Sequence, residues 1–157
     1  VTFWRFDTEV EKVFSEPIAS APAMHLVPRG STALLDCWGR AMVDTGERLS
    51  AIPEHERPAH VVFVVITDGY ENASREWTPD RVKAMVEEQS NVYGWTFVYL
   101  GANQDAVLTA RDYGVAMTGA TNYAPTRQAV NEVYAGLSGS VSALRSNHGW
   151  SRVADST

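Results

Sequence analysis

The chain has 157 residues, a formal net charge of −6, 45% hydrophobic residues and 20% charged residues. This is the size of one domain that folds without a disulfide or a structural metal. Lysine occurs only at Lys12 and Lys83, and the sequence has no basic stripe, which argues against nucleic-acid binding. It also has no apolar run of roughly 20 residues, which argues against a membrane span.

The chain opens on two short β-rich runs. Residues 1–6 (VTFWRF) and residues 10–14 are predicted to pair as antiparallel strands across Asp7–Glu9. Because the first run has no turn residue before it, we expect the natural protein to begin upstream of Val1. Residues 17–28 contain three prolines and are predicted to form a loop.

A helix and a buried strand follow. Apolar residues recur at helical spacing over residues 34–49, and Ser31 or Thr32 is predicted to cap that helix. After a polar loop at 53–58, residues 61–66 read VVFVVI. A continuous apolar run of this length is typical of an interior parallel strand that is buried on both faces.

The second half alternates in the same way. The sequence predicts helices over residues 78–93, 105–113 and 126–144, a buried strand over 95–100 and a last edge strand over 115–117. Strands that alternate with helices predict an α/β fold with a mostly parallel sheet and helices on both faces. We expect a single domain over residues 1–145 and a polar tail over 146–157.

Asp68 and Thr32 are the main candidates for chemistry. Asp68 follows the VVFVVI run, where parallel sheets place their ligands, and Gly69 allows a tight turn beside it. A carboxylate there is suited to a hard cation, although a turn or cap aspartate explains it equally well. Thr32 precedes a helix, where a hydroxyl group usually caps the helix but also coordinates divalent ions in some proteins.

Two other residues have a structural and a functional interpretation. Cys37 cannot form an intrachain disulfide, and we favour a small buried side chain over a reactive thiol. A lone cysteine also fits a reducing compartment, so we expect a cytoplasmic protein. Trp77 is either an exposed contact residue or an anchor of its loop, and we favour the anchor.

Two stretches together resemble a known family. Residues 28–36 (PRGSTALLD) are similar to the threonine loop of von Willebrand factor A (vWA) domains, and residues 62–72 (VFVVITDGYEN) resemble their later aspartate motif. The resemblance extends over residues 1–113 and is strongest to small bacterial and phage proteins. It implies a three-layer, Rossmann-like vWA fold, and it implies that the first central strand is missing from this chain.

The resemblance also implies a metal-ion-dependent adhesion site for Mg²⁺ or Mn²⁺. In that family a DxSxS motif, a threonine and a second aspartate hold the ion, and an acidic side chain of a partner completes its coordination. Thr32 and Asp68 match the last two elements, and Gly30, Ser31, Gly69 and Glu71 match the supporting loops. No DxSxS occurs in this sequence. Since Mg²⁺ prefers six oxygen ligands, we expect weak or absent metal binding.

The function implied is that of a non-catalytic protein-interaction module in a bacterial or phage-infected cell. Its expected partner is a protein with an acidic group. We also expect the place of the missing strand to be filled by a rearranged strand order, by a second copy of the chain or by a separate peptide. Two alternatives remain open. One is a magnesium-dependent Rossmann-like hydrolase or phosphotransferase, which needs a second acidic group and a nucleophile. The other is a metal-independent structural subunit of an assembly.

Overall fold

A computed structural model describes residues 1–24, 30–102 and 105–146 of the chain. The fold is mixed α/β, as predicted. No helix within these ranges is both long enough and apolar enough to cross a membrane. The described elements, in chain order, are β1 (Thr2–Phe6), β2 (Val10–Ser15), α1 (Leu34–Ser50), β3 (Val62–Thr67), α2 (Pro79–Tyr93), β4 (Thr96–Ala102), α3 (Ala106–Asp112), β5 (Ala120–Tyr123) and α4 (Arg127–Arg145).

The chain divides into two compact units. Unit 1 comprises Val1–Arg57 and Glu71–Thr78, and unit 2 comprises Pro58–Tyr70 and Pro79–Thr157. The short return of the chain into unit 1, Glu71–Thr78, is called the clamp segment below. The prediction of one domain over residues 1–145 stays a prediction.

Unit 1 is built from a hairpin and a helix. Strands β1 and β2 pair antiparallel, which confirms the predicted hairpin. An isolated two-stranded hairpin is marginal in water, but here the backbone N–H of Ala33 donates to Asp7 O at 2.7 Å, and the Lys12 ammonium group lies 2.7 Å from the Asp44 carboxylate of α1. These contacts hold the hairpin to the helix.

Unit 2 contains a three-stranded sheet in the order β3-β4-β5. Both pairs of strands are parallel. The central strand β4 is buried along almost its whole length, which confirms the buried strand predicted over residues 95–100. Val98 and Leu100 pack with Val133 of α4 on one face. Tyr99, which alternation places on the opposite face, contacts the ring of Tyr113 directly after α3.

The VVFVVI run is a parallel strand, but the prediction that it is interior is wrong. Strand β3 is at one edge of its sheet, and within the described ranges it pairs only with β4. Val62, Phe63, Val64 and Ile66 are therefore only partly buried. An apolar run shows that a strand contacts a core, but it does not show how many neighbouring strands it has.

The predicted edge strand over residues 115–117 is also wrong. Met117–Gly119 is a 3₁₀ turn, and the strand β5 follows it at Ala120–Tyr123. A Cβ atom at Gly119 would lie 2.2 Å from the carbonyl oxygen of Phe97. Only glycine allows the chain to pass this close to β4.

Several predicted features lie outside the described residues. These are residues 25–29 of the loop before α1, residues 103–104 after β4, and residues 147–157 of the predicted tail.

Candidate functional site

The clamp segment is held in unit 1 by one carboxylate of α1. Asp36 Oδ2 accepts a hydrogen bond from the backbone N–H of Arg75 at 2.8 Å. Its Oδ1 accepts from Glu76 N at 2.9 Å and from Trp77 N at 2.8 Å. Only 7% of Asp36 is exposed. A buried carboxylate is stable only when such donors replace its water.

These hydrogen bonds determine the charge state of Asp36. Burial alone would raise the pKa of this carboxyl group, because it disfavours the charged form. The three backbone donors, together with the nearby Arg40 guanidinium, outweigh burial and leave the pKa of Asp36 below its ordinary value. Asp36 is therefore ionised at neutral pH and serves as a fixed anionic anchor.

A second carboxylate caps the first turn of α1. Glu71 Oε2 accepts from Leu35 N at 2.9 Å and from Ser74 Oγ at 2.7 Å, while Glu71 Oε1 accepts from Ala73 N and Ser74 N. Ser74 Oγ in turn accepts from Asp36 N at 3.0 Å. Two of the four N–H groups that a helix leaves unpaired are thus capped by a distant segment.

This arrangement corrects the prediction that Ser31 or Thr32 caps α1. The N-cap residue is Ala33, and it provides no side-chain cap. The backbone of Thr32 instead pairs with the clamp segment: Thr32 N donates to Asn72 Oδ1 at 2.9 Å, and Asn72 N donates to Thr32 O at 3.1 Å. With Glu71 and Ser74 at the free N–H groups, the capping role is already filled.

Trp77 is the loop anchor that the sequence favoured. It is 8% exposed, and its ring packs so closely on Gly39 of α1 that an added Cβ atom would lie 1.9 Å from it. Arg40, one residue later, forms a forked ion pair with Glu76, in which Arg40 Nε donates to Glu76 Oε2 at 3.0 Å. The clamp segment is therefore fixed to α1 by charge and by packing.

An open cleft of about 450 Å³ lies beside the contact between α1 and the clamp segment, within unit 1. Three of the five charged residues at its wall, Asp36, Arg40 and Glu76, already pair with one another or with backbone N–H groups. We therefore regard the cleft as a weaker site candidate. Its lining residues are Thr8, Glu9, Val10, Asp36, Arg40, Ala73, Arg75 and Glu76.

Cys37 lies next to Asp36 on α1 and is 6% exposed. Burial raises the pKa of its thiol to about 12, although Arg40 acts in the opposite direction. Since the thiolate is the nucleophile, Cys37 is a buried apolar side chain rather than a reactive group.

Asp68 lies in unit 2, one residue after β3, and is exposed. Within the described ranges its carboxylate has no hydrogen bond or ion pair. The preceding Thr67 is buried, and its hydroxyl group donates to Gly69 O at 3.0 Å. This local turn presents Asp68 at the carboxyl ends of parallel strands, the edge at which such sheets bind ligands. We call this edge of the unit 2 sheet the carboxyl edge.

The six residues predicted for the site are divided between the two units. Gly30, Ser31, Thr32 and Glu71 belong to unit 1, whereas Asp68 and Gly69 belong to unit 2. Glu71 accepts hydrogen bonds from Leu35, Ala73 and Ser74, and its predicted role beside a metal site stays a prediction. Across residues 1–24, 30–102 and 105–146, no three His, Cys, Asp or Glu side chains gather into a metal site. The structure adds Asp36, Ser74 and Asn72, which sequence reasoning missed.

Comparisons of the chain with protein-family models, curated proteins and solved structures find no match.

Proposed function

We propose that this chain is a non-catalytic protein-interaction module of the vWA type and that it binds its partner at the carboxyl edge. The observation that carries the proposal is the exposed carboxylate of Asp68 directly after β3. A carboxylate that makes no ion pair among the described residues, at the edge where parallel sheets bind ligands, is suited to recognition of another molecule.

The protonation and hydrogen bonding of Cys37, Asp36 and Glu71 favour binding over catalysis. A hydrolase or phosphotransferase would need a nucleophile and a second acidic group. The thiol of Cys37 stays protonated, since its pKa is raised to about 12. Asp36 and Glu71 accept hydrogen bonds from backbone N–H groups and hold the chain in place. These groups therefore support the fold.

The metal-dependent part of the proposal comes from the sequence resemblance. Thr32 and Asp68 would be the retained ligands of a partial adhesion site, and an acidic group of the partner would complete the coordination of Mg²⁺ or Mn²⁺. One hydroxyl group and one carboxylate fall well short of six oxygen ligands. We therefore propose that this chain alone binds the ion weakly or not at all.

The position of β3 supports the second proposed partner, a chain that completes the sheet. Its residues VFVVIT carry no charge and no proline, the usual features that protect an edge strand. A second copy of the chain or a strand from another protein would cover it, and a stable, fully folded monomer in light scattering would contradict this part of the proposal.

A quantitative capture experiment tests the main proposal. The chain, Asp68→Asn and the matched control Asp112→Asn would be immobilised and exposed to a bacterial extract with Mg²⁺ or with EDTA. Asp112 is also an exposed aspartate of unit 2. We expect proteins that the chain and the control retain but Asp68→Asn loses. Equal retention by all three would refute the proposal, and a magnesium-dependent hydrolysis lost in Asp68→Asn would favour the enzyme.

A further inference from the structure

The open cleft in unit 1 is lined by three segments, and two of them are fixed to the third. The segments are residues 8–10 at the end of the hairpin turn, the clamp segment and the first half of α1. The hairpin turn is held where Ala33 N donates to Asp7 O at 2.7 Å. The clamp segment is held by its three hydrogen bonds to Asp36. Because both segments are fixed at the start of the same helix, we expect the cleft to be formed before any ligand binds.

Two charged residues of this cleft, Glu9 and Arg75, have exposed side chains without a hydrogen bond or an ion pair in the part of the chain that the structure describes. Arg75 donates its backbone N–H to Asp36, but its guanidinium group is not engaged there. The other charged side chains of the wall are paired: Arg40 with Glu76, and Asp36 with backbone donors. The cleft therefore presents one available carboxylate and one available guanidinium group.

One available charge of each sign matches a ligand that carries both signs. A lone cation would leave Arg75 without a partner, and a lone anion would meet the carboxylate of Glu9. A guanidinium group binds a carboxylate through two parallel N–H groups, and the carboxylate of Glu9 accepts hydrogen bonds from an ammonium group. A zwitterion satisfies both residues at once.

The position of the two residues favours a short peptide over a single amino acid. Glu9 belongs to the hairpin turn and Arg75 to the clamp segment, whereas the two charged groups of an amino acid are attached to one carbon atom. A tripeptide in extended conformation spans up to about 10 Å between its termini. The cleft volume of about 450 Å³ is within the range of roughly 300–1,000 Å³ that is typical of small-ligand sites.

We propose that this cleft binds a short peptide through its free termini, with the ammonium group at Glu9 and the carboxylate at Arg75. Thr8 adds a hydroxyl group to the wall, and Val10 and Ala73 add apolar surface for small side chains. The site lies within unit 1, and the inference goes beyond the proposed function because it does not depend on Asp68 or on the carboxyl edge.

The test uses trialanine and three analogues that lose its charges one at a time: acetyl-trialanine, trialanine amide and acetyl-trialanine amide. Each is titrated at pH 7, where both free termini are charged, into the ¹⁵N-labelled chain and followed by NMR. We expect saturable, millimolar binding of trialanine with shifts at residues 8–10 and 73–76. Each analogue with one charge should bind about two- to fivefold more weakly, and the uncharged peptide should not saturate.

Glu9→Gln and Arg75→Gln should each weaken the binding of trialanine by the same factor. Both side chains are exposed, and Arg75→Gln keeps the backbone N–H that donates to Asp36, so the fold should persist in both variants. The matched controls are Glu47→Gln and Arg48→Gln, which change exposed residues of α1 outside the cleft lining and should leave the affinity unchanged. Absent binding, equal affinity for trialanine and either singly charged analogue, or an affinity that Glu9→Gln or Arg75→Gln leaves unchanged would overturn the inference.

Discussion

Asp36→Asn tests the claim that one carboxylate holds the clamp segment to α1. The substitution keeps the shape of the side chain and removes its charge. Asn retains one acceptor oxygen for Glu76 N and Trp77 N, which donate to the same Oδ1 atom in the structure. Its amide group would then face Arg75 N, so two donors would meet where Oδ2 now accepts a hydrogen bond at 2.8 Å.

The expected loss follows from these three hydrogen bonds. A hydrogen bond to a charged group contributes about 1.5–3 kcal/mol, and a neutral one about 1 kcal/mol. Losing one charged bond and weakening two others should lower the free energy of unfolding by about 3–4 kcal/mol. This is a large part of the roughly 5–15 kcal/mol that stabilises a domain.

Urea denaturation measures this loss, and limited trypsin digestion locates it. In Asp36→Asn we expect faster cleavage after Arg75, since the clamp segment loses its anchor. The control is Asp44→Asn, which removes an ion pair to Lys12 at the surface and should cost less than about 1 kcal/mol. If Asp36→Asn is no less stable than the control, the clamp does not depend on this carboxylate.

The lowered pKa of Asp36 predicts how the stability difference between the chain and Asp36→Asn depends on pH. The folded-state pKa of Asp36 is lowered from the reference value of 3.8. Its contribution is therefore complete above the unfolded-state pKa and is lost as the pH falls through the folded-state pKa. The stability difference between the chain and Asp36→Asn should be constant from pH 7 to about pH 5 and should shrink below about pH 4. A difference that grows in acid would contradict the assignment.

Two further predictions concern α1. Gly39→Ala should lower the free energy of unfolding in urea by about 1–3 kcal/mol despite the better helix propensity of alanine, because the new methyl group overlaps the Trp77 ring. The control is Gly46→Ala, where a Cβ atom meets nothing within 4 Å; it should raise the free energy of unfolding by up to about 1 kcal/mol. Equal effects of the two substitutions would show that the Trp77 ring does not pack on Gly39. Cys37 should react with a thiol reagent at pH 8 only as the chain unfolds, because its pKa is about 12, and rapid labelling of the folded chain would contradict its burial.

The elements that sequence predicted well are those with a local pattern. The helical periodicity after Thr126 predicts α4, and Thr126 caps it by accepting from Ala129 N at 3.2 Å. The run WTFVYL predicts a buried strand, and β4 is buried, with a paired strand on each side. In each case residues close in sequence determine the outcome.

The features that sequence missed depend on distant residues. The acceptors for the first turn of α1 come from Glu71 and Ser74, which are 36 and 38 positions away from their partners. Nothing in the sequence around Asp36 distinguishes an anchor for a remote segment from an ordinary acid that favours a helix N-terminus. The edge position of β3 was missed for a related reason, because the number of neighbouring strands is a property of the whole sheet.

The route of the chain through its two units determines the order in which the contacts of α1 can form during synthesis on the ribosome. The chain leaves unit 1 after Arg57, returns at Glu71 and leaves again after Thr78. Until that return stretch emerges, α1 lacks the acceptors of Glu71 and Ser74, and Asp36 has no backbone donors. A nascent chain stalled soon after Arg57 would therefore expose an unfinished helix start to chaperones, and no fragment cut at a single point could yield unit 1 alone.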